Sequence, residues 1–463
     1  MYQLDFQKPI RIFFCGIGGI SMSGLAEVLR EKGFPVSGSD MKASPLTESL
    51  AAKGIRIFIG QKADNITADI DLFVYTAAIR PDHPEFAAAT SLGLPMLTRA
   101  QLLGQIMKNY EMPIAVSGTH GKTTVTGMVS EILMSAKLDP TVSIGGILRS
   151  IGGNIRIGAS EVFVTEACEY TNSFLSFYPK ATLILNIEED HLDFFRDIDD
   201  IRASFRRFAA LTPEDGIVII GNEIEKKDVV LSDVKCPVIT FGTGEDADYR
   251  PVDVHTDDHG NRTFTLLSKD REGKVTSEEF SLMIPGFHNV LNACAAIALA
   301  DCLKIDREVT RKALKAYRGT DRRFEYKGTL NGVTIIDDYA HHPSEIRATL
   351  SAAVDYPHRK LWVIFQPHTY SRTKAFMDDF AKALSASDAV ILADIYAARE
   401  TDNLGISSGD IADRIRDLGK ESYYFPSFGE IEDFVQKNCS PGDLLITMGA
   451  GDVVNIADHL LNS

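Results

Sequence analysis

Short apolar runs alternate with longer segments of helical periodicity along almost the whole chain. Runs such as IRIFFC and PIAVSG have the length and composition of buried strands, and SMSGLAEVLREKG and KTTVTGMVSEILMSA follow them with the periodicity of helices. Regular alternation of this kind is typical of parallel sheets, because a parallel strand needs a crossover connection to return to its sheet. The pattern predicts an α/β fold.

The stretch from about residue 237 to residue 285 departs from this alternation. Here PVITFG, YRPVDVHTDD, RTFTLLSKD and EEFSLMIPG are joined by the turn-rich pieces DDHGN and KDREGK, which predicts antiparallel hairpins. We interpret this stretch as a β insertion late in a middle domain.

The 463 residues are enough for about two to four domains. Weak breaks at KNYEMP and GTDRRFEY predict three, over residues 1–110, 111–322 and 323–463. We expect the first and third to be Rossmann-like and the second to resemble a P-loop ATPase.

The chain is acidic, with a formal net charge of −16, so no broad electropositive surface for nucleic acid or anionic membranes is expected. Its six cysteines are scattered without a C-x-x-C pair, and this spacing predicts neither a disulfide framework nor a thiolate zinc site. The N-terminus does not have the form of a signal peptide, and no apolar run reaches the roughly 18 residues of a membrane span. We expect a cytoplasmic protein without membrane insertion.

Residues 115–124, AVSGTHGKTT, nearly match a phosphate-binding loop. Gly121, Lys122 and Thr123 fit the Walker pattern, but Val116 stands where its first glycine is expected. A predicted strand precedes the loop and an amphipathic helix follows it, a context in which backbone N–H groups and the helix N-terminus hold phosphates. The pattern favours a nucleotide site over a glycine-containing turn with a solvated lysine.

A second glycine loop, in IRIFFCGIGGISMSG, resembles a dinucleotide fingerprint. Gly16 and Gly18 fit G-x-G-x-x-G, Ser21 replaces the third glycine, and Asp40 ends the next predicted strand. Such a loop brings the backbone close to a diphosphate, and NAD, FAD and nucleotide sugars all satisfy this requirement. In the alternative interpretation the glycines only allow tight packing of helix on strand.

Polar side chains follow several predicted strands, where a parallel sheet has its ligand crevice. Glu166 and Glu169 lie in VFVTEACEY, and TLILNI runs into EEDHLD. A carboxylate in such a place can hold Mg²⁺, which prefers hard oxygen ligands, or remain a solvated loop charge.

Later segments place further polar groups in similar positions. Asn289 in PGFHNVLNACAA either caps a helix or meets an adenine edge, and Arg372 in QPHTYSRT either binds a carboxylate or lies on the surface. The adjacent His341 and His342 in DDYAHHPSE are not expected to chelate one metal, since neighbouring side chains at a strand end point apart.

Together these motifs resemble the Mur ligase family. GIGGISMSGLAEVL, VSGSD, GTHGKTT, EACEY, NIEEDHLD, PGFHNVLNACAA, GTDRRFE, DDYAHHPSE and QPHTYSRT occur in this order and span nearly the whole chain. The loop signature is shared with folylpolyglutamate synthetases, whereas the N-terminal motif, DDYAHHP and QPHTYSRT are typical of the branch that adds L-alanine to UDP-N-acetylmuramate. In that family the loop has the form G-T-x-G-K-[TS], without a requirement for glycine at the Val116 position.

The resemblance implies an enzyme of peptidoglycan precursor synthesis that activates the muramate carboxylate with ATP and Mg²⁺ as an acyl phosphate. The first domain would bind the UDP portion, the second ATP and Mg²⁺, and the third L-alanine. The protein would be a monomer or homodimer. The murein tripeptide recycling ligase of the same family is the alternative. Two other classes of protein explain the motifs less completely. A nicotinamide oxidoreductase would give no function to the central loop, and a P-loop switch would give none to the first domain.

The resemblance also assigns residues. Its implied ATP site consists of Gly118, Thr119, His120, Gly121, Lys122, Thr123, Thr124, Asn289, Arg323 and Asp338. Its implied substrate sites consist of Gly18, Gly19, Ser39, Asp40, His120, Tyr339, His341, His368 and Arg372. Thr123 and Glu166 would hold one Mg²⁺ and His191 a second. Lys122, His341 and Arg372 are the expected catalytic residues: Lys122 would contact the transferring phosphate, His341 or a nearby carboxylate would take a proton, and Arg372 would bind the alanine carboxylate.

Three departures from the family pattern affect these expectations. His83 stands where asparagine is common, and Thr369 where some members have arginine. Sister ligases carbamylate a lysine near the second metal, but this chain has no lysine between Lys180 and Lys226. We therefore predict that it contains no carbamylated lysine.

Overall fold

The computed structural model describes residues 2–76, 79–257, 260–269, 273–398 and 400–462. Within them the first sheet is fully parallel, with strand order β3-β2-β1-β4-β5. Its strands are β1 (Ile12–Cys15), β2 (Val36–Asp40), β3 (Arg56–Ile59), β4 (Leu72–Tyr75) and β5 (Met96–Thr98). The helices of this region are α1 (Ile20–Glu31), α2 (Pro45–Ala52), α3 (Pro84–Ser91) and α4 (Arg99–Met107).

The second sheet is the largest, with the order β15-β14-β13-β12-β11-β10-β6-β9-β7-β8 in the described part of the chain. Its strands are β6 (Met112–Ser117), β7 (Thr141–Leu148), β8 (Gly153–Arg156), β9 (Val162–Glu166), β10 (Ala181–Ile184), β11 (Ile217–Gly221), β12 (Val238–Phe241), β13 (Tyr249–Thr256), β14 (Arg262–Lys269) and β15 (Val275–Leu282). The helices are α5 (Lys122–Ser135), α6 (Ile198–Ala209), α7 (Lys227–Leu231), α8 (Phe287–Cys302) and α9 (Arg307–Ala316).

The third sheet has the order β16-β17-β21-β18-β19-β20, and only β16 runs antiparallel to its neighbour among the described strands. Its strands are β16 (Glu325–Leu330), β17 (Val333–Asp338), β18 (Leu361–Phe365), β19 (Ala389–Leu392), β20 (Glu421–Tyr424) and β21 (Leu444–Met448). The helices are α10 (Pro343–Val354), α11 (Tyr370–Ala375), α12 (Met377–Leu384), α13 (Ser408–Asp417), α14 (Phe428–Asn438) and α15 (Val454–Asn462).

The predicted α/β fold is confirmed. The apolar positions of α5 that define its helical period are all buried: Val125, Met128, Val129, Ile132 and Leu133. The boundaries at 110 and 322 stay a prediction.

The hairpin prediction for residues 237–285 holds for β13, β14 and β15, which pair antiparallel, and is wrong for β12. Strand β12 runs parallel to β11 because the chain crosses back through α7 between them. The interpretation as an insertion also needs refinement, since β13 pairs with β12 at Phe241 and Tyr249 and so continues the main sheet. The turn pieces DDHGN and KDREGK lie partly outside the described residues.

The carboxyl ends of the central strands set the position of the candidate site. Strands β6, β9 and β10 run parallel and end beside one another at Ser117, Glu166 and Ile184, which is where parallel sheets bind ligands. None of the helices formed by the described residues is both long enough and apolar enough to cross a bilayer.

Candidate functional site

The phosphate-binding loop connects β6 to α5 and depends on two glycines with positive φ. Gly118 has φ +141° and Gly121 has φ +84°, conformations that favour glycine. A Cβ on Gly121 would also lie 2.8 Å from Asn292 Oδ1. Two hydrogen bonds fix the loop to the segment after β10. The Asn186 side-chain oxygen accepts from the His120 N–H at 2.8 Å, and Thr119 Oγ1 accepts from the Glu188 N–H at 2.9 Å.

Lys122 forms an ion pair with Glu169 in the interior of the site. Its Nζ lies 3.0 Å from Glu169 Oε2 and also donates to the carbonyls of Gly118 and Thr119. The Glu169 side chain is only 3% exposed. Burial by itself lowers the pKa of Lys122, but the neighbouring carboxylates outweigh this and raise it above its ordinary value. Lys122 is therefore a fixed positive charge at the loop.

Thr123 and Glu166 provide the oxygen atoms of the predicted magnesium site. Thr123 lies in the first turn of α5, and Glu166 ends β9 and accepts from the Gly145 N–H at 2.6 Å. A Cβ on Gly145 would lie 2.9 Å from the Glu166 carboxylate, and one on Gly146 would lie 3.2 Å from the Thr123 side chain. Two glycines of β7 thus leave the space beside these groups open, and a hydroxyl with a carboxylate suits Mg²⁺.

His191 lies between two acidic groups of the site. Its Nε2 is 3.7 Å from Asp190 Oδ2 and 4.0 Å from Glu169 Oε1. The ring stacks on Tyr170 with centroids 4.4 Å apart. His191 therefore lies beside Glu169, the partner of Lys122.

A cleft of about 200 Å³ opens between the phosphate loop and the third domain. Six of the predicted nucleotide residues line it: His120, Gly121, Thr124, Asn289, Arg323 and Asp338. Asn289 faces it from the first turn of α8, where its side chain donates to the Pro285 carbonyl. Burial raises the pKa of Asp338 to about 6, against the effect of Arg323.

His120 joins this cleft to the third domain. Its Nε2 lies 2.6 Å from Ser344 Oγ and 3.4 Å from Glu188 Oε2, and its Nδ1 lies 3.2 Å from Glu345 Oε1. Burial alone would lower the pKa of His120, but the bonds to the carboxylates of Glu188 and Glu345 outweigh it and raise the pKa to about 9. His342 bonds to the same Ser344 hydroxyl at 2.7 Å, and burial lowers its pKa to about 4.

A second cleft between the two domains has two of the four residues predicted for the amino acid on its walls, His368 and Arg372, together with His191. Arg372 Nη2 donates to Asp190 Oδ1 at 3.1 Å, and its Nη1 donates to His368 Nδ1 at 3.5 Å. Burial, His341 and Arg372 together lower the pKa of His368 to about 4. The cleft thus offers a guanidinium beside a neutral imidazole.

His341 and Tyr339 lie in the segment between β17 and α10 of the third domain. Burial lowers the pKa of His341, and its Nδ1 lies 3.1 Å from the Tyr339 carbonyl and 3.3 Å from Glu345 Oε2. The ring centroids of His341 and His368 are 6.0 Å apart, and the Arg323 guanidinium lies 5.3 Å from the Tyr339 ring. His341 and His342 bond to different partners, His341 to the Tyr339 carbonyl and His342 to the Ser344 hydroxyl.

The first-domain glycine loop holds Gly18 against Asp40. The Gly18 N–H donates to Asp40 Oδ2 at 2.8 Å, and a Cβ on Gly18 would lie 2.8 Å from the same oxygen. Gly19 is the N-cap of α1 and is exposed. Ser39 differs from these residues, because its buried hydroxyl donates to Glu85.

Sequence reasoning missed one group that the fold brings to the site, the guanidinium of Arg99. Arg99, the first residue of α4, donates to Ser21 Oγ at 3.0 Å. Burial lowers the pKa of Arg99 below its ordinary value, and the nearby Cys168 offsets only part of this effect. Arg99 therefore lies between the first-domain loop and the Glu169 region. An arginine in the first turn of a helix interacts unfavourably with the helix dipole. This unusual position is the feature of the sequence that could have indicated a functional role for Arg99.

Two of the residues that depart from the family pattern, Thr369 and His83, are helix N-caps. Thr369 is the N-cap of α11, where its side chain accepts from the Arg372 N–H. His83 is the N-cap of α3. The absence of a carbamylated lysine stays a prediction.

Three family models match the chain in sequence. They are the Mur ligase family catalytic domain over residues 11–111, the Mur ligase middle domain over 116–300, and the Mur ligase glutamate ligase domain over 322–451.

Relatives and solved structures cover the chain almost completely. UDP-N-acetylmuramate–L-alanine ligases of Agathobacter rectalis and Lachnospira eligens are 59% and 57% identical, each over 100% of both chains. The crystal structure of UDP-N-acetylmuramate-alanine ligase from Thermotoga maritima matches with a TM-score of 0.80 at 32% identity over 98% of each chain. A murein peptide ligase from Psychrobacter arcticus matches with a TM-score of 0.69 at 25% identity, also over 98% of each chain.

Proposed function

We propose that this chain, which belongs to the Mur ligase family, joins L-alanine to UDP-N-acetylmuramate at the expense of ATP, releasing ADP and phosphate. The names of the most similar relatives support these substrates, and the match to the Thermotoga maritima enzyme is better than that to the murein peptide ligase. The product would be a precursor of peptidoglycan.

One structural observation carries the proposal. A chain of polar contacts of 4.0 Å or less runs from the phosphate loop to the second cleft, through Lys122, Glu169, His191, Asp190 and Arg372. The cation suited to a transferring phosphate and the cation suited to an amino-acid carboxylate are therefore held in one network. This arrangement fits a reaction that uses a phosphate to activate one substrate for attack by another.

In the first step the muramate carboxylate attacks the γ-phosphate of ATP, and ADP leaves. Lys122 balances the charge on the transferring phosphoryl group, and Gly118 and Gly121 allow the loop backbone to approach it. Thr123, Glu166 and His191 would hold Mg²⁺, which supplies further positive charge there. The nucleotide would lie in the first cleft, with Asn289 at the adenine, Asp338 at the ribose and Arg323 at the phosphates.

In the second step the amine of L-alanine attacks the acyl phosphate carbonyl, and phosphate leaves through a tetrahedral intermediate. Arg372 orients the alanine carboxylate beside His368 and Tyr339. The depressed pKa of His341 keeps its imidazole neutral near pH 7, so it can accept the proton that the amine loses.

The UDP portion would bind at the first-domain glycine loop. Gly18 and Gly19 would bring the backbone close to a diphosphate at the start of α1, and Asp40 holds this loop by accepting from the Gly18 N–H. Arg99 is an additional candidate for the negatively charged end of this substrate, because it lies between the loop and the second domain. The buried Ser39 hydroxyl would act by fixing Glu85 rather than by direct contact.

Phosphate release tests the proposal. ATP and Mg²⁺ are supplied with UDP-N-acetylmuramate alone, with L-alanine alone, and with both. We expect sustained phosphate release only with both substrates. Replacement of L-alanine by the murein tripeptide tests the recycling activity. A recycling ligase would release phosphate faster with the tripeptide than with L-alanine.

A further inference from the structure

A buried group of three potential metal ligands lies in the first domain, outside the site described above. Cys15 ends β1, His83 caps α3 and Glu85 lies in its first turn. One ligand atom from each lies within 4.8 Å of the other two, and Cys15 Sγ is 4.0 Å from His83 Nδ1. Cys15 and Glu85 are fully buried. We call these three residues the Cys15 cluster.

The histidine of this cluster is already oriented as a metal ligand. His83 Nδ1 accepts from the Glu85 N–H at 3.3 Å, so it is the unprotonated nitrogen, and a metal ion on Nδ1 would replace this hydrogen bond; Nε2 bonds to Gln61 Oε1 at 3.2 Å. Metal-bound histidines usually donate their second N–H to an oxygen in this way, which fixes the tautomer and the ring. Gln61 also approaches Cys15 Sγ through its amide nitrogen at 3.4 Å.

The carboxylate has the same kind of support. Glu85 Oε2 accepts from Ser39 Oγ at 2.6 Å and Oε1 accepts from Asn65 Nδ2 at 2.7 Å. Each oxygen keeps a further lone pair, because a carboxylate oxygen can accept more than one bond. The side chains that donate to Glu85 here, Ser39 and Asn65, are neutral, so the carboxylate keeps its negative charge for a dication.

The distance between Cys15 and His83 suits a zinc ion after a small contraction. Zinc bonds of about 2.3 Å to sulfur and about 2.0 Å to nitrogen place the two ligand atoms roughly 3.6 Å apart in a tetrahedral site. The present separation of Cys15 Sγ and His83 Nδ1 is 4.0 Å. A thiolate, an imidazole and a carboxylate are the three ligand types that zinc prefers, and a water would complete four-coordination.

We propose that the Cys15 cluster is a binding site for one Zn²⁺ or a similar borderline-soft divalent cation. The spacing of the cysteines does not indicate this site, because Cys15 and His83 lie on two elements and are 68 residues apart in sequence. It lies next to the first-domain glycine loop, since Gly16 follows Cys15 directly. It would be distinct from the Mg²⁺ site, whose groups are hard oxygens.

Cobalt titration of the full-length protein, freed of metal by a chelator, tests this proposal. Binding of Co²⁺ by a thiolate produces a near-ultraviolet charge-transfer band. We expect this band to saturate at about one ion per chain and to disappear when Zn²⁺ is added, as a single Cys-containing site requires. Absence of the band at saturating Co²⁺ would overturn the proposal. The group His120, Glu188 and His342, which also brings potential ligands together, has no thiolate and cannot produce the band.

Three variants locate the site. Cys15→Ser should abolish the band. His83→Asn keeps a good helix N-cap but removes the ligand, so it should fold normally and bind Co²⁺ at least about tenfold more weakly. Cys439→Ser, in the third domain, should bind like the parent. Should Cys15→Ser not fold, His83→Asn decides alone: an unchanged affinity in that variant contradicts the proposal.

Discussion

Arg372 of the third domain donates a hydrogen bond of 3.1 Å to Asp190 of the second, and both side chains are largely buried. Burial by itself raises the pKa of Asp190, but Arg372 and the nearby histidines outweigh it and hold the pKa well below its ordinary value. The guanidinium proposed to bind the alanine carboxylate is thus already oriented by a carboxylate from the opposite domain.

The first prediction concerns this arginine. Arg372→Ala should raise the KM for L-alanine much more than the KM for ATP, because Arg372 lines the second cleft whereas the predicted nucleotide residues line the first. Arg372→Lys keeps the charge but not the planar fork, and its KM for L-alanine should lie between those of the parent and the alanine variant. Steady-state kinetics with each substrate varied in turn measures this, and an equal rise in both KM values would count against the assignment.

The second prediction concerns the pair of Lys122 and Glu169. Lys122→Met should abolish phosphate transfer and also destabilise the protein by roughly 3–5 kcal/mol, because it leaves a buried carboxylate without its partner. Combining it with Glu169→Gln should recover much of the stability but none of the activity. Chemical denaturation of the parent, the two single variants and the double variant gives the coupling. Additive effects on stability would show that the pair does not matter.

The third prediction concerns the glycines beside the proposed magnesium ligands. Gly145→Ala places a Cβ 2.9 Å from the Glu166 carboxylate and should weaken the apparent affinity for Mg²⁺ by about tenfold or more. Gly153→Ala on the neighbouring strand is the matched control, because its Cβ would meet no atom within 4 Å. Activity measured across a range of Mg²⁺ concentrations distinguishes them. Equal Mg²⁺ dependence in both variants would remove Glu166 from the metal site.

The fourth prediction is a pH dependence at the contact of the second and third domains. The pKa of His120 is raised to about 9 from an ordinary value near 6.5, so its ion pairs with Glu188 and Glu345 contribute fully below about pH 6.5. That contribution is lost as the pH rises through about 9. His342 and His288, with pKa values lowered to about 4, do not titrate in this window.

His120→Gln isolates this effect. Thermal unfolding midpoints of the parent and the variant should differ most near pH 6.5 and converge toward pH 10. A difference that stays constant over this range would show that His120 is not the titrating group.

Sequence patterns located those features that depend on a few neighbouring residues. The loop at Lys122 and the helix after it follow from local periodicity and from glycines with positive φ. The pairing predicted for strand β12 is wrong, because a run of four residues does not indicate whether a strand pairs parallel or antiparallel.

The partners within the site were beyond the reach of these patterns. Arg372 and Asp190 are separated by 182 residues, and His120 and Ser344 by 224. Such contacts depend on how the domains pack, and single-sequence periodicity carries no information about that. The family resemblance assigned roles to Lys122 and Arg372 but not the carboxylates that hold them.

Phosphate release from ATP with each substrate alone and with both tests the central claim most directly. The proposed ligase should release phosphate in a sustained way only when UDP-N-acetylmuramate and L-alanine are both present, with one product peptide bond formed per phosphate. Phosphate release that is equally fast without L-alanine, or that requires the murein tripeptide in its place, would contradict the proposal.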